Sequence, residues 1–435
     1  MEKQQAEQIP SFQETNSQGT QRSSSLRILF LSTWFPYPPD NGSKIRAKYL
    51  VQALSRRHKV VVAAFDPDGR SKGAGNAERR DSVDGVEVIP VPADPFRYVS
   101  APQLAKFASP VPLACWPSAG MRKVVHRLTA AAHYDVVVAF QLPVASYARA
   151  VAETPRVFDI DVSLGFQRYQ AWLGTKSPLQ RFRHWLSWNK TRQYERRQIA
   201  GFAACTVVAP EELAFVRQTY QGTGARFHLS ENGVDCTHNR AGIAPKTPAS
   251  LVYNGALTYS ANHDAMRYFL ADIYPLIKQQ IPEASLTITG SLSGVDLSGL
   301  ALDESVHLSG YVPDVRVPVA GASVCVVPLR QGSGTRLKIL EAMALGTPVV
   351  ATTKGAEGLD VTPDRDILIA DEPAGFAAQV LRLLRSQSLR NQLARDARLL
   401  VEQQYDWSQI GERFALLAEE VAEVQRRVAE REHAG

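Results

Sequence analysis

Arg336, Lys338 and Glu341 follow closely on a turn built from Gly332, Ser333, Gly334 and Thr335. Backbone N–H groups left free at a helix start, with cations beside them, suit a phosphate. Glu341 stands among small and apolar residues in LKILEAMA, and a carboxylate so placed accepts paired hydrogen bonds from a sugar diol. The plain alternative is a surface glutamate in an ion pair, and the apolar neighbours argue against it. Either cation taken alone also reads as a surface charge, and Lys338 is the better supported of the two. Phosphate and diol together describe a sugar nucleotide.

A second set of candidates lies in the first half. Asp159 and Asp161 close the run RVFDID, and Gln141 closes DVVVAF. An aspartate at a strand end facing a cleft can orient or deprotonate a hydroxyl. It can as well cap the next helix. Asp161 is the first choice, with Asp159 and Gln141 on the same acceptor side.

The segment PLRQGSGTRLKILEAMALGTPVVATTKGAEGL (328–359) reads as strand, glycine-rich turn, helix, strand and a second glycine-bearing turn. Around it, strands and helices alternate in two series. LRILFLS (26–32) is a continuous apolar run of the kind buried on both faces. The loop TWFPYPPDNGSK, a helical pattern and the strand HKVVVAAF (58–65) follow. VEVIPV, DVVVAF, RVFDI and CTVVA continue the first series. The second runs through TPASLVYNGAL, a helix over 264–279, SLTITG, VHLSG, ASVCVVP and DILIA, then helices over 373–384 and 389–404. From Trp407 onward the pattern is one long charged helix.

This is α/β organisation of the doubly wound type, predicting two Rossmann-like domains that face each other across a cleft. The expected division is a disordered tail over 1–25, a first domain over 26–230, a second over 231–405 and a helix over 406–435 that packs back on the first domain. In such sheets ligands bind outside the carboxyl ends of the strands. The glycine-bearing loops at 36–44 and 331–338 both follow strand ends.

In this order and spacing the motifs resemble the family 4 retaining glycosyltransferases of the two-Rossmann GT-B fold. The nearest subgroup is the sugar transferases of exosortase-type exopolysaccharide systems. FPYPPDNGSKIRAKYLVQAL and HKVVV carry the likeness in the first half; YNGALTYSANHDAMRYF, VHLSGYVPDV and GSGTRLKILEAMALGTPVVAT carry it in the second. It spans residues 26–407. The resemblance implies that Glu341 binds the ribose hydroxyls. Arg336 and Lys338, with the N–H groups of Gly334 and Thr335, would hold the diphosphate. Gly42 would approach the phosphates from the other domain, and Tyr311 and Val312 would lie against the base. Two departures stand out. Many members carry a donor-sugar glutamate eight residues before the ribose glutamate, where this chain has Ser333. Many carry an Arg and Lys dyad after the first strand of the second domain, whereas GALTYSANHDA has neither and offers His263 instead.

The implied function is transfer of a hexose from a nucleoside diphosphate sugar to a hydroxyl acceptor, glycan or lipid-linked, with retention. No metal or resident cofactor is called for, the nucleotide sugar being a co-substrate. A sugar-nucleotide epimerase or hydrolase, and a degenerate nucleotide-binding scaffold in polysaccharide assembly, remain open. A nicotinamide enzyme is disfavoured, because PYPPDNG and not G-x-G-x-x-G follows the first strand.

The 435 residues, 45% hydrophobic and 21% charged, suit a soluble protein of two domains. No run reaches membrane-spanning length, and the Gln- and Ser-rich start lacks the apolar core of a secretion signal. Cys115, Cys205, Cys236 and Cys325 are scattered without ligand spacing, which fits reduced thiols in a cytosolic protein. The net charge of +6 is uneven: residues 176–197 hold seven Lys/Arg against Glu195 alone, interleaved with Trp185, Trp188 and Tyr194, just after Trp172. Such a segment suits an anionic membrane surface or an acidic acceptor; a solvated helix with tryptophans packed on the core reads slightly better. The expected location is cytoplasmic, with the inner face of the cell membrane as the open alternative. No nucleic-acid partner is expected.

Overall fold

The computed structural model describes residues 25–39, 41–66, 81–83, 85–95, 117–332 and 336–434. Ser333, Gly334, Thr335, Cys115 and the expected tail up to residue 24 lie outside them. The first sheet comprises β1 (Arg27–Ser32), β2 (Lys59–Phe65), β3 (Asp81–Val83), β4 (Val86–Val91), β5 (Val136–Phe140), β6 (Arg156–Asp161), β7 (Ala204–Val207) and β8 (Arg226–Leu229). Their order is β3-β4-β2-β1-β5-β6-β7-β8, and β3 alone runs antiparallel to its neighbour. Valine- and alanine-rich runs such as VVVAF in β5 are wholly buried, because helices cover both faces of a parallel sheet.

The second sheet comprises β9 (Ser250–Asn254), β10 (Ser285–Thr289), β11 (Val306–Gly310), β12 (Val324–Val327), β13 (Val349–Ala351) and β14 (Leu368–Ile369), in the order β11-β10-β9-β12-β13-β14. Both sheets therefore reverse direction beside their first strand. The crevices open between β1 and β5 and between β9 and β12, where doubly wound sheets take their ligands.

The helix expected over 264–279 starts earlier, at Ser260, and is interrupted by a π-turn at Phe269–Ile273. Pro275 opens the helical segment that follows, and a widened turn accommodates a residue with no N–H to donate. The edge strand β8 was not legible in sequence, since its residues are half-exposed and form no apolar run.

Helix Trp407–Ala434 returns to the first domain. Phe414, Ala415, Ala418 and Val421 bury against β1, β2 and β5 in the same cluster as Leu50 and Leu54 of helix Gly42–Ser55. Below this seam a buried ion pair ties the domain to the connector. Arg46 donates to both oxygens of Asp159, at 2.8 and 3.0 Å, and also to the Glu231 carbonyl, Asn232 Oδ1 and Ser230 Oγ. Replacing Arg46 by alanine should lower stability by about 3–5 kcal/mol, since Asp159 would remain charged, buried and unpaired. Denaturant unfolding of the variant measures this, and a loss below about 1 kcal/mol would contradict it.

Candidate functional site

At the crevice of the second sheet, β9 ends in Tyr253 and Asn254, and helix Leu337–Ala344 begins behind the turn that follows β12. Asn254 Nδ2 donates to Glu341 Oε2 at 2.8 Å. Protein packed closely around the carboxyl pushes its pKa up to about 7, while Lys338 and the Asn254 amide pull it down. The residue remains partly open to a cavity of about 430 Å³ between the domains. Ile45, Lys48 and Tyr49 line that cavity from the first domain, Leu337, Glu341 and Arg316 from the second.

Lys338 lies one helical turn earlier. Its ammonium donates to the Tyr253 hydroxyl and to Asn262 Oδ1, both at 2.9 Å, and sits 4.2 Å from the Tyr253 ring centroid. Burial pushes its pKa down to about 8. Two of three N–H groups are thus engaged, and the third is left for an anion. Gly255 and Gly290 make this geometry possible. A Cβ at Gly255 would stand 2.7 Å from Lys338 Nζ, and one at Gly290 2.5 Å from the Ala256 Cα, with φ there at +112°. Gly255→Ala should therefore displace the ammonium and weaken the binding of an anion at this point about 10-fold, the order of one charge-assisted hydrogen bond. Isothermal titration with inorganic pyrophosphate tests this; unchanged affinity would dismiss the contact.

Arg336 is buried, and its Nη2 donates to the carbonyls of Gly332 and Lys354 at 3.1 and 3.0 Å, with Glu357 at 3.5 Å. It ties Gly332 to the loop after β13. Of the other residues expected here, Ser333, Gly334 and Thr335 lie outside the described residues. Gly42 starts its helix facing Leu337 of the second domain; a Cβ would make only ordinary contact, at 3.6 Å. Tyr311 is 82% exposed, and the cavity lining begins at Pro313, just past Tyr311 and Val312. His263 is held by the Asp296 carbonyl at 2.9 Å and lines a separate hollow.

Across the cleft the strand ends of the first sheet form a polar cluster. Asp161 Oδ2 accepts from Ser43 Oγ at 2.9 Å and from Gln141 Nε2 at 2.8 Å. Trp34 Nε1 donates to Gln141 Oε1 at 2.8 Å. Asp161 Oδ1 has no hydrogen-bond partner among the described residues. Gln141 and Asp161 both take positive φ, 71° and 58°. Non-glycine residues occupy that region at a cost, most often where a site holds them there. Burial raises the pKa of Asp161, against Arg46, which lowers it. Glu212, buried beside it, is pushed up to about 8 by burial and by Asp161.

Asp159 requires a correction. It is fully buried, both oxygens serve Arg46, and one also accepts from Thr206, so it anchors the frame and does not meet an acceptor. Sequence reasoning missed Ser43, Trp34, Asn254, Tyr253 and Asn262. Asn254 alone had a usable signal, as a polar residue ending an apolar strand next to the crevice. Among the described residues no group of three His, Cys, Asp or Glu could hold a metal ion, and no helix is long and apolar enough to cross a membrane. Cys205, Cys236 and Cys325 are buried and free.

Residues 248–386 match the family model described as Glycosyl transferases group 1. Sucrose-phosphate synthase from Thermosynechococcus elongatus superposes with a TM-score of 0.66 at 18% identity, over 91% of this chain and 99% of that one. Anabaena HepE in complex with UDP gives 0.60 at 14%, over 90% and 99%. WaaG, a glycosyltransferase involved in lipopolysaccharide biosynthesis, gives 0.58 at 18%, also over 90% and 99%. These likenesses establish the fold: two Rossmann-like domains of the GT-B type. An uncharacterized 44.6 kDa protein in the cps region of Klebsiella pneumoniae is 22% identical over 165 residues, 36% of this chain and 42% of that relative's length. The chain thus matches less than half the length of that relative.

Proposed function

We propose that this chain, whose second half matches the group 1 glycosyl transferase model, moves a hexose from a nucleoside diphosphate sugar to a hydroxyl acceptor with retention. One observation carries the reading. The Glu341, Asn254 and Lys338 cluster stands at the crevice of one sheet, and Asp161, Gln141 and Ser43 stand at the crevice of the other. A donor needs the first set and an acceptor hydroxyl the second.

Glu341 accepts hydrogen bonds from the ribose hydroxyls, with Asn254 fixing its orientation. The free N–H of Lys338 meets the diphosphate, together with Arg336 and the N–H groups of Gly334 and Thr335. Charge that grows on the leaving diphosphate is then met by groups already in place, which lowers the barrier without reorganisation. Asp161, held by Ser43 and Gln141, turns its remaining oxygen to the acceptor hydroxyl and positions it for attack. In the retaining course the acceptor attacks from the face that the diphosphate leaves, and a phosphate oxygen takes its proton. Gly42 and Leu337 meet where the two domains close. Lys338 takes over the place of the cationic dyad that the segment after β9 lacks, because its ammonium reaches the helix that begins there, at Asn262.

The UDP bound by HepE makes uridine diphosphate sugars the first donors to screen by thermal shift, since a bound donor raises apparent stability. Donor consumption that depends on an added acceptor is the expected result. Consumption without acceptor would favour an epimerase or hydrolase, and binding without any turnover a nucleotide-binding scaffold.

A further inference from the structure

Helices Leu164–Gly174 and Pro178–Ile199 form a hairpin that leaves the first sheet at the cleft-side end of β6, directly after Asp161. Its base is packed. Glu195 is buried beneath the start of the first helix, accepting from Gly165 N and Ser163 Oγ, and Tyr220 donates to it as well. Trp172 and Trp188 stack at 5.3 Å, with Tyr169 against both. Those two tryptophans are half-buried and pack on each other between the hairpin's helices, outside the sheet's hydrophobic core.

The tip is different. Every residue from 176 to 183 is exposed, so the second helix begins with no buried face. Leu179 is 71% exposed, Phe182 57%, Leu173 48% and Trp185 40%, and Phe182 stacks on Trp185. Exposing this much apolar surface on one tip costs solubility unless something covers it. Interleaved with these side chains are Arg168, Lys176, Arg181 and Arg183, none of them in an ion pair among the described residues. The sequence from 162 to 194 holds six Lys/Arg and no acid. Between the two helices Arg168, Arg183, His184, Gln180 and Ser187 line an open hollow of about 410 Å³.

We propose that this tip docks on an anionic phospholipid surface. Leu179, Phe182 and Trp185 enter the interface between headgroups and acyl chains, and the hollow between Arg168 and Arg183 receives a headgroup phosphate. Charge complementarity selects this occupant. A protein partner covering the apolar tip would need carboxylates matched to several cations, whereas an anionic leaflet supplies negative charge wherever the tip lands. The docked hairpin springs from the same strand end as Asp161, so the acceptor side of the cleft faces the leaflet. Only that last point, a lipid-linked acceptor, rests on the transferase reading.

The test is co-sedimentation of the full chain with phosphatidylcholine vesicles made with and without phosphatidylglycerol. The protein should pellet with the anionic vesicles alone, and less so as salt rises. Arg168→Ser with Arg183→Ser should weaken partition about 25-fold, at about 5-fold per cation. Phe182→Ser with Trp185→Ser should weaken it about 10-fold or more. Because these side chains are largely solvent-facing, both variants should keep the wild-type melting temperature. Equal binding to neutral vesicles, no binding to either, variants that pellet like the wild type, or tighter binding of soluble heparin than of vesicles would each overturn the proposal. Donor binding by the same preparation separates the two readings: vesicle binding without donor turnover leaves docking standing, and turnover without vesicle binding removes docking alone.

Discussion

Replacing Glu341 by glutamine should cost the protein its nucleotide while making its fold more stable. The carboxylate is the group that a ribose diol needs, and a charge-assisted hydrogen bond lost from a partly buried site weakens binding about 10- to 100-fold. Its stability effect has the opposite sign. A carboxyl that titrates near 7 in the fold against an ordinary 4.5 favours the native state only while protonated. That stabilisation is fully present below pH 4.5 and is lost as pH rises through 7. Glutamine keeps an acceptor for the Asn254 amide and never ionises. At pH 8 the variant should exceed the wild type by about 1–3 kcal/mol, a gain that shrinks as pH falls and vanishes below pH 4.5. The lower figure allows for the charge that Lys338 loses as a neighbour. Denaturant titrations at the two pH values, paired with nucleotide titrations, measure both halves. A variant that keeps its nucleotide affinity would remove Glu341 from the site; one less stable at pH 8 would mean that the carboxylate holds the fold together.

Lys338→Met should lower turnover about 10²–10³-fold, the size of effect seen when one preorganised contact to a developing charge is removed. The fold should tolerate the change, because the Tyr253 hydroxyl still donates to Asn262 at 2.7 Å and a desolvated cation is gone. Arginine should not rescue activity. Gly255, Tyr253 and Asn262 enclose the ammonium too tightly for a guanidinium. With Glu341 pushed up to about 7 and Lys338 down to about 8, nucleotide affinity in the wild type should rise through pH 7 and fall beyond pH 8. In Lys338→Met the upper limb should disappear. Turnover within a few-fold of the wild type would leave the diphosphate to Arg336 and the turn N–H groups.

The opposing stability and activity effects share one cause. A site that strips water from both a carboxylate and an ammonium destabilises the empty fold, and the same desolvation strengthens what these groups do to a bound nucleotide. The two charges remain unpaired with each other in the hydrogen-bond network: Glu341 is held by Asn254, and Lys338 by Tyr253 and Asn262. Each keeps free valence for a ligand.

The strand runs and their alternation with helices were legible because burial on both faces of a parallel sheet demands continuous apolar residues. The run in β5 is visible in the bare sequence for that reason. The crossover to a second domain was legible for the same reason. The apolar setting of Glu341 was also readable, since a glutamate set among alanine, leucine and methionine loses its hydration and needs a polar partner in return, here Asn254. Asp159 and Asp161 were not separable by type or position. They sit two residues apart on one strand, yet one is spent on Arg46 and the other bonds Ser43 and Gln141. The β6 backbone slips register between them and Asp161 takes a positive φ, features no local pattern encodes.

The sequence by itself determined the class of fold and the order of its elements, because these follow from the period of hydrophobicity and from short-range spacing. Only the tertiary structure decided which charges meet. Asn254 lies 87 residues from Glu341, Ser43 lies 118 from Asp161, and Arg46 lies 113 from Asp159. It likewise divided one basic, aromatic stretch into a packed base and a bare tip, where Trp188 is enclosed by Trp172 and Tyr169 while Phe182 and Trp185 face solvent. The physical reason is the same in each case: desolvation and pairing depend on neighbours brought from distant strands, and those neighbours are set by sheet topology.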